Sequence, residues 1–391
     1  MREDPLREPL TWAEIDLAAY RHNIAELRRI TRAESRFMAV VKANGYGHGA
    51  VEVAQAALDS GADRLGVARL HEAVELREAG IGAPILIFGL TPPEGTDTLL
   101  DLDLTQAVFT VDAAEELAAK TISKGKRLRV HIKVDTGMGR LGLLAGEPKA
   151  REATGSAANH RFGEVSAIAG LPGLEVEGLF THFATADHTD KAYANRQMQR
   201  FLELVDLLKQ QGLEFPLNHA ANSAALIDMP ESHLDMVRPG IVTYGLYPSA
   251  EVEQSRVELK PVMEWKARIV QLKKVPAGFG VSYGITFETP RPTTLATVAV
   301  GYADGLSRAL SSRGQMLVGG QRVPIVGRIC MDLTLLDVGE VSDVAVGDEV
   351  VILGRQGDEM LSADEMAASL DTINYEVVST ITSRVPRIYL R

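Results

Sequence analysis

Apolar and polar positions along this chain fall into two textures that meet just before Pro261. Up to that point short apolar runs alternate with stretches of helical spacing. Runs at 38–41, 64–67, 84–88, 106–109, 128–134, 176–181, 216–219 and 235–237 predict eight strands. Helical spacing between most of them predicts helices over 50–58, 71–79, 113–119 and 195–209. In the last of these Met198, Phe201, Val205 and Leu208 mark one apolar face. Leu17, Tyr20, Ile24 and Leu27 predict a further helix over 16–30, ahead of the first run. Eight strands separated by helices predict a parallel α/β sheet, and periodicity alone allows either a closed (β/α)8 TIM-type barrel or an open doubly wound sheet. Residues 146–173, rich in small side chains, predict a surface excursion before the next strand.

Beyond Pro261 the pattern changes to alternation and turns. Segments 267–275, 294–300, 315–318, 322–326, 333–338 and 349–353 read as strands, and Gly319-Gly320 marks a hairpin. Ser362 and Glu365 have the spacing of a capping box that opens one late helix. Two domains are expected: an α/β domain over 1–255 and a mostly β domain over 256–391.

Composition narrows the class. Hydrophobic residues are 46% and charged residues 24% of 391, the shares of a globular chain. A formal charge of −11 speaks against a general nucleic-acid or acidic-membrane surface. Cys330 is the only cysteine, so a disulfide within the chain and a thiolate metal cluster are excluded. Residues 1–10 carry acids and prolines where a secretory signal needs an apolar core, and no apolar run is long enough to span a bilayer. The cytoplasm is the expected location. No H-E-x-x-H, C-x-x-C, G-x-G-x-x-G or G-x-x-x-x-G-K-[ST] pattern is present, and no catalytic metal is expected.

The chemistry concentrates where the first run, Met38-Ala39-Val40-Val41, meets Lys42 and a glycine-spaced turn through Gly45, Tyr46, Gly47, His48 and Gly49. An amine at the C-terminal end of a buried strand is partly desolvated. That lowers its pKa and suits it to attack an aldehyde. The bland reading is a lysine that reaches past the strand end to solvent. Glycines let backbone approach a ligand, so a phosphate-bearing aldehyde would suit the site.

The segment VKANGYGHG at 41–49 resembles the cofactor-lysine motif of the alanine racemase family, enzymes that use pyridoxal phosphate (PLP). HIKVDTGMGRLG at 131–142, THFATAD at 181–187, NHAANSA at 218–224, RPGIVTYGLYP at 238–248, VSYG at 281–284, VGYADG at 300–305, GRICMD at 327–332 and TINYEV at 372–377 resemble it too, in the family's order. The resemblance implies a closed barrel and a homodimer with shared active sites. It implies interconversion of L- and D-alanine for cell-wall peptidoglycan. Lys42 would carry the cofactor and act as one base, and Tyr283 of the other subunit would act as the second. Tyr46, Ser223, Tyr375 and the N–H groups of Gly240 and Ile241 would bind the phosphate. Arg238 would face the ring nitrogen, in a hydrogen-bonded chain with His182 and the tyrosine. Arg140, positioned by a carbamylated Lys133, and the backbone of Met331 would bind the substrate carboxylate. Tyr302, Asp187, Arg308 and Arg328 would line the approach.

Outside the resemblance, Ser223 reads equally as a helix cap, Arg-Pro-Gly as a structural turn and Tyr283 as a core residue. Two rival enzymes remain: a broad-specificity racemase acting on serine as well, and an amino-acid decarboxylase of similar architecture with Cys330 as proton donor. A barrel that only carries PLP is disfavoured by the whole β domain.

Overall fold

The computed structural model describes residues 9–145 and 156–391. The chain forms two compact units. One consists of Tyr20–Gly45 and Ala50–Lys260; the other gathers the described residues before Tyr20, the short piece Tyr46–Gly49 and everything from Pro261.

The chain opens with strand β1 (Thr11–Asp16) and helix α1 (Leu17–Ile30). The first unit then lays down β2 (Arg36–Val40), β3 (Arg64–Val67), β4 (Ile85–Ile87), β5 (Thr105–Val108), β6 (Leu128–Asp135), a two-residue β7 (Leu143–Leu144), β8 (Leu174–Phe180), β9 (Leu217–His219) and β10 (Met236–Val237). All ladders are parallel, in the order β10-β2-β3-β4-β5-β6-β8-β9, with β7 beside β6. At the seam Asp235 N–H donates to the Asn218 carbonyl at 3.1 Å, and Arg238 N–H to that of Ala221 at 3.0 Å. The result is the nearly closed (β/α)8 barrel. Its strands are mostly buried and rich in apolar residues between polar helix-forming stretches, which is why all eight were visible in the sequence. Helices α2 (Ala50–Asp59), α3 (Leu70–Glu78), α4 (Thr96–Asp101), α5 (Val111–Ser123), α6 (Ser156–Ala169), α7 (Ala192–Gln210) and α8 (Ser223–Asp228) connect the strands.

Inside the barrel Met38, Leu86, Ala107, Phe180 and Met236 pack as one cluster, with Phe88 against it. Gly66 makes room for that ring: a β-carbon there would lie 2.7 Å from two Phe88 atoms. On α7, Met198, Phe201 and Leu208 are buried as the spacing predicts, and Leu204 lies deeper than Val205.

In the second unit the long β11 (Met263–Val275) pairs with β1, with β14 (Thr293–Val298) and with β18 (Glu349–Gln356). The main path runs β16 (Gln321–Pro324), β15 (Gln315–Val318), β18, β11, β1, β20 (Arg387–Leu390), and β17 (Thr334–Asp337) pairs with β14. Three expectations are corrected. First, a domain over 1–255 would put β1 in the barrel, but β1 is antiparallel to β11 and parallel to β20, so it belongs to the second sheet. The units also part at Lys260 rather than Arg256. Second, the expected excursion over 146–173 contains helix α6; residues 146–155 lie outside the described residues. Third, the expected late helix is two, α9 (Ala363–Leu370) and α10 (Asn374–Ser379). Only half of the capping box forms: Ser362 Oγ accepts from Glu365 N–H, while the Glu365 carboxylate pairs with Arg322. Among the described residues no helix is long and apolar enough to cross a membrane.

Candidate active site

Lys42 stands two residues past the end of β2, where the chain winds the opposite way to an ordinary helix. Ala43 (φ 53°), Asn44 (φ 54°), Gly45 (φ 59°) and Tyr46 (φ 51°) are successive left-handed residues. For L-residues this conformation costs about 1–2 kcal/mol each, less for asparagine and nothing for glycine. Specific bonds hold it. Gly45 N–H donates to Val41 O at 2.9 Å, and Asn44 Oδ1 accepts from Ala50 N–H at 2.9 Å. Glu72 receives Ala43 N–H at 2.6 Å with one oxygen while its other caps α3 through the N–H groups of Ala68 and Arg69. The simple loop expected after Lys42 is therefore a clamped, strained turn, the kind of backbone that clusters at functional sites.

Around the same barrel end the sequence-predicted residues follow their strands: Arg140 after β6, His182 after β8, Ser223 after β9 and Arg238 directly after β10. Lys133, within β6, is buried with its Nζ 5.7 Å from the centre of the Phe180 ring. Asp135 Oδ1 gathers the N–H groups of Gly137, Met138 and Gly139, and its Oδ2 that of Arg140, which shapes the turn carrying the arginine. Ser223 is not the cap of α8; Asn222 is, through Ala225 N–H. Ser223 Oγ instead accepts Gly240 N–H at 2.9 Å, which leaves its own proton to donate. Ile241 opens the short 3-10 turn that follows.

The group is cationic. Burial lowers the Lys42 pKa, the Arg140 charge lowers it further, and Glu72 opposes them. Lys133 is pushed down to about 8 by burial and by Arg140 and Arg238. Burial brings Arg238 down to about 9, still protonated near neutrality. His182 is held well below its ordinary pKa by burial and then by the charges of Arg238 and Arg140, so its imidazole is neutral. Such a concentration of donors, with one amine partly desolvated, fits a phosphate-bearing aldehyde and a carboxylate substrate. Arg238 donates to the carbonyls of Thr181 (2.8 Å) and Ala220 (3.0 Å) and to His219 Nδ1 (2.8 Å); His182 Nδ1 is further, at 3.4 Å. Asp187, by contrast, is tied through its carbonyl to Ser249 Oγ.

The remaining predicted residues lie in the second unit. Tyr46 and Tyr375 face one another there, ring centres 6.2 Å apart. Three loops are stitched together: Ser282 Oγ donates to Arg328 O (2.5 Å), Tyr302 N–H to Cys330 O and Ala303 N–H to Met331 O (both 3.0 Å). A β-carbon on Gly301 would lie 2.2 Å from Met331 O, so only glycine permits that approach. The stitching gathers Tyr283 (71% exposed), Met331 (53%) and Tyr302 (42%), with Ile285 beside Tyr283. Arg328 and Arg308 are exposed as well. Tyr283 is thus not a core residue.

Sequence reasoning missed Glu72, Glu177 and Arg64, and it gave His131 and His219 no role although both lie in quoted motifs. Alternation along β6, which places His131 on the same face as Lys133 and Asp135, was the available signal.

The family described as "Alanine racemase, N-terminal domain" matches residues 15–248, and "Alanine racemase, C-terminal domain" matches 262–389. An alanine racemase of Desulfosudis oleivorans is 58% identical over 378 residues, covering 97% of this chain and 96% of the relative. That of Desulforamulus reducens is 50% identical over 385 residues, covering 98% and 100%. Among solved structures, an alanine racemase of Clostridium difficile shares 38% identity at a TM-score of 0.91, covering 98% of this chain and 96% of that one. An alanine racemase of Bartonella henselae with covalently bound pyridoxal phosphate shares 27% identity at a TM-score of 0.84, covering 98% and 100%.

Proposed function

The chain belongs to the alanine racemase family, and we propose that it divides its two bases between the two units of its fold. It is an isomerase that interconverts L- and D-alanine, with PLP as cofactor and a homodimer as the working state. When bound, PLP supplies an aldehyde that joins an amine and a ring that draws negative charge from the substrate's Cα.

The chain's own residues do the rest. The Ser223 hydroxyl, the Ile241 N–H and the hydroxyls of Tyr46 and Tyr375 hold the phosphate, joined by the Gly240 N–H, which must turn from Ser223 Oγ to reach it. Arg238 stands toward the ring nitrogen. A guanidinium donates and does not accept, so nothing there would hold a proton on the ring nitrogen, and charge withdrawal stays weak. That suits brief proton removal and disfavours side reactions. Arg140, positioned by Lys133 in a carbamylated form, and the backbone of Met331 of the partner subunit orient the substrate carboxylate. Lys42 moves the proton on one face of Cα and Tyr283 of the partner subunit on the other, with His182 and Arg238 supporting the phenolate. Tyr302, Asp187, Arg308 and Arg328 narrow the approach. The single observation that carries this reading is the cationic group at the barrel end, buried Lys133 and Arg238 with half-buried Lys42 and exposed Arg140, beside the Ser223–Gly240 pair. The cytoplasm, with supply of D-alanine to the cell wall, is the place in which such an enzyme serves.

The test is purified protein on a panel of single L-amino acids with chiral detection. Equal amounts of the two alanine enantiomers at equilibrium are expected, with serine slower. Release of carbon dioxide in place of inversion would overturn the reading.

A further inference from the structure

Arg238 does not end at the barrel mouth: it is the first member of a buried chain that crosses the barrel interior. Its NH1 lies 2.8 Å from His219 Nδ1. His219 Nε2 lies 2.8 Å from His131 Nδ1, and His131 Nε2 lies 3.1 Å from Glu177 Oε2. Glu177 is paired in turn with both terminal nitrogens of Arg64, the residue that opens β3 at the other end of the barrel. Both histidines are fully buried, and Arg64 is 4% exposed. Phe180 seals the chain. Its ring stacks on His219 at 4.8 Å, meets His131 edge-on at 6.4 Å and lies under the Arg238 guanidinium at 5.4 Å.

Every proton in this chain has one allowed place. A guanidinium has no acceptor, so His219 Nδ1 must be bare and its proton must sit on Nε2. That N–H points at His131 Nδ1, which must then accept, so the His131 proton also sits on Nε2 and is given to the Glu177 carboxylate. A second proton on His131 would set N–H against N–H at 2.8 Å; one on His219 would set N–H against the guanidinium. Electrostatics agree. Burial depresses both imidazoles, His219 far below its ordinary value. For Glu177, burial pulls the pKa up, but the hydrogen bonds from His131 and Arg64 overcome it and hold the carboxyl at about 2.

We propose that Glu177 and His131 are positioning residues for the reaction, which act through His219 to lock the hydrogen-bonding direction of Arg238. The ordered chain gives Arg238 a fixed acceptor on its inner side, with every hydrogen bond pointing from Arg238 toward Glu177, and the proton stays on the guanidinium because His219, held far below its ordinary pKa, is the much weaker base. The guanidinium therefore presents one fixed, protonated face outward. This rests on the reading of Arg238 given above, but the proton positions do not depend on turnover.

The test has two arms. Neutron diffraction of the perdeuterated holoenzyme near neutral pD should place deuterium on Nε2 alone in both His131 and His219. Deuterium on Nδ1 of either ring would overturn the proposal. If the positions are as expected but alanine is not racemised, the assigned function fails and the proton order stands. In the second arm, His131→Phe keeps ring volume and leaves the Glu177–Arg64 pair intact but removes the acceptor for His219. The expected effect is a fall in kcat of about 10–100-fold with KM changed less than about threefold, the usual scale for losing an orienting partner. Glu177→Gln keeps an oxygen for His131 and should retain most of kcat. Unchanged kcat in a folded, cofactor-loaded His131→Phe enzyme would overturn the positioning role.

Discussion

The barrel end and the loop patch of the second unit carry the two proposed bases, and they are built in opposite ways. Around Lys42 the polar groups are buried and bonded to one another: Ser223 to Gly240, Arg238 to three acceptors, Asp135 to four N–H groups. Around Tyr283 the loops are tied by backbone bonds and by the Ser282 hydroxyl, and the larger side chains stand out in solvent, with Tyr283, Ile285, Tyr302, Met331 and Leu333 all exposed. A concentration of exposed aromatic and aliphatic side chains is the signature of a surface meant to be covered. In the proposed reading the first region is a half-site pre-organised for an anion, and the second is a half-site that would need a partner before its tyrosine has a defined environment. Burial fixes the chemistry of one, and association would fix the chemistry of the other.

Removing each base tests that division, and these are the largest effects expected. Lys42→Ala should lower racemisation by at least about 10²–10⁴-fold, the scale of one acid-base group, and abolish the covalent label that borohydride fixes in the wild-type holoenzyme. A peptide map with the label on another lysine would break the assignment. Tyr283→Ala should lose activity on a similar scale with the label intact. Mixing the two inactive variants under subunit exchange should restore at most about a quarter of wild-type activity, because half the dimers are mixed and each has one complete site. No recovery from verified mixed dimers would mean that both bases come from one chain.

Arg238→Glu sharpens the barrel side alone. A carboxylate in place of the guanidinium would keep the ring nitrogen protonated, so racemisation should fall by about 10²-fold while the share of transamination rises. An unchanged partition between the two reactions, measured by pyruvate release per inversion, would show that this arginine does not set the charge withdrawal.

The pH dependence of stability separates the two regions more gently. His131, His182 and His219 are all held below their ordinary pKa by burial; positive charge adds to it for His182 and His219, while Glu177 opposes it at His131. An imidazole that stays neutral in the fold binds its proton on unfolding once the pH is below about 6.5. Their contribution is therefore complete above that value and is lost as pH falls, by up to about 1.4 kcal/mol per pH unit for each ring. Glu177, held at about 2, adds the same sign at lower pH: its contribution is present above the ordinary carboxylate range and lost as pH falls toward 2. Hydrogen exchange from pH 7 to pH 5 should show β6, β8 and β9 losing protection before the sheet of the second unit. An equal decline in both would break the contrast.

How much of this was legible in the sequence follows from where each partner sits. Barrel strands announce themselves because burial makes each a short segment rich in apolar residues between helical stretches. Strand β1 does not: Thr-Trp-Ala-Glu-Ile-Asp is short, and its partners are the antiparallel β11 and the parallel β20, some 250 residues or more away along the chain. The left-handed turn after Lys42 was hidden because alanine and tyrosine do not favour that conformation, so nothing local predicts it at Ala43 or Tyr46. Glu177 and Arg64 look like ordinary polar residues in their strands, and only closure of the barrel makes them a pair. Lys42, Ser223 and Arg238 were found because their motifs are contiguous. What they touch was not.

The smallest effect expected lies in the loop patch, at Ser282, where strain and function meet. Its φ of 60° and ψ of −173° fall in a region essentially reserved for glycine, at a cost of about 1–3 kcal/mol for any side chain. Its Oγ supports it there by donating to Arg328 O at 2.5 Å, a bond of a kind worth about 0.5–1.5 kcal/mol, with Cys330 Sγ a weaker contact at 3.4 Å. Ser282→Gly removes both the strain and the bond, so the two terms nearly cancel and the melting temperature should move by only a few degrees, upward if at all. Function should not cancel in the same way. Without its hydroxyl tie to the loop of Arg328, the segment carrying Tyr283 gains freedom, and Gly284 next to it (φ 74°) offers no resistance. A fall in kcat of about tenfold, with stability equal or higher, would mark Ser282 as a strained residue kept for the placement of its neighbour. Loss of stability and activity together would mean instead that the hydroxyl tie holds the loop up.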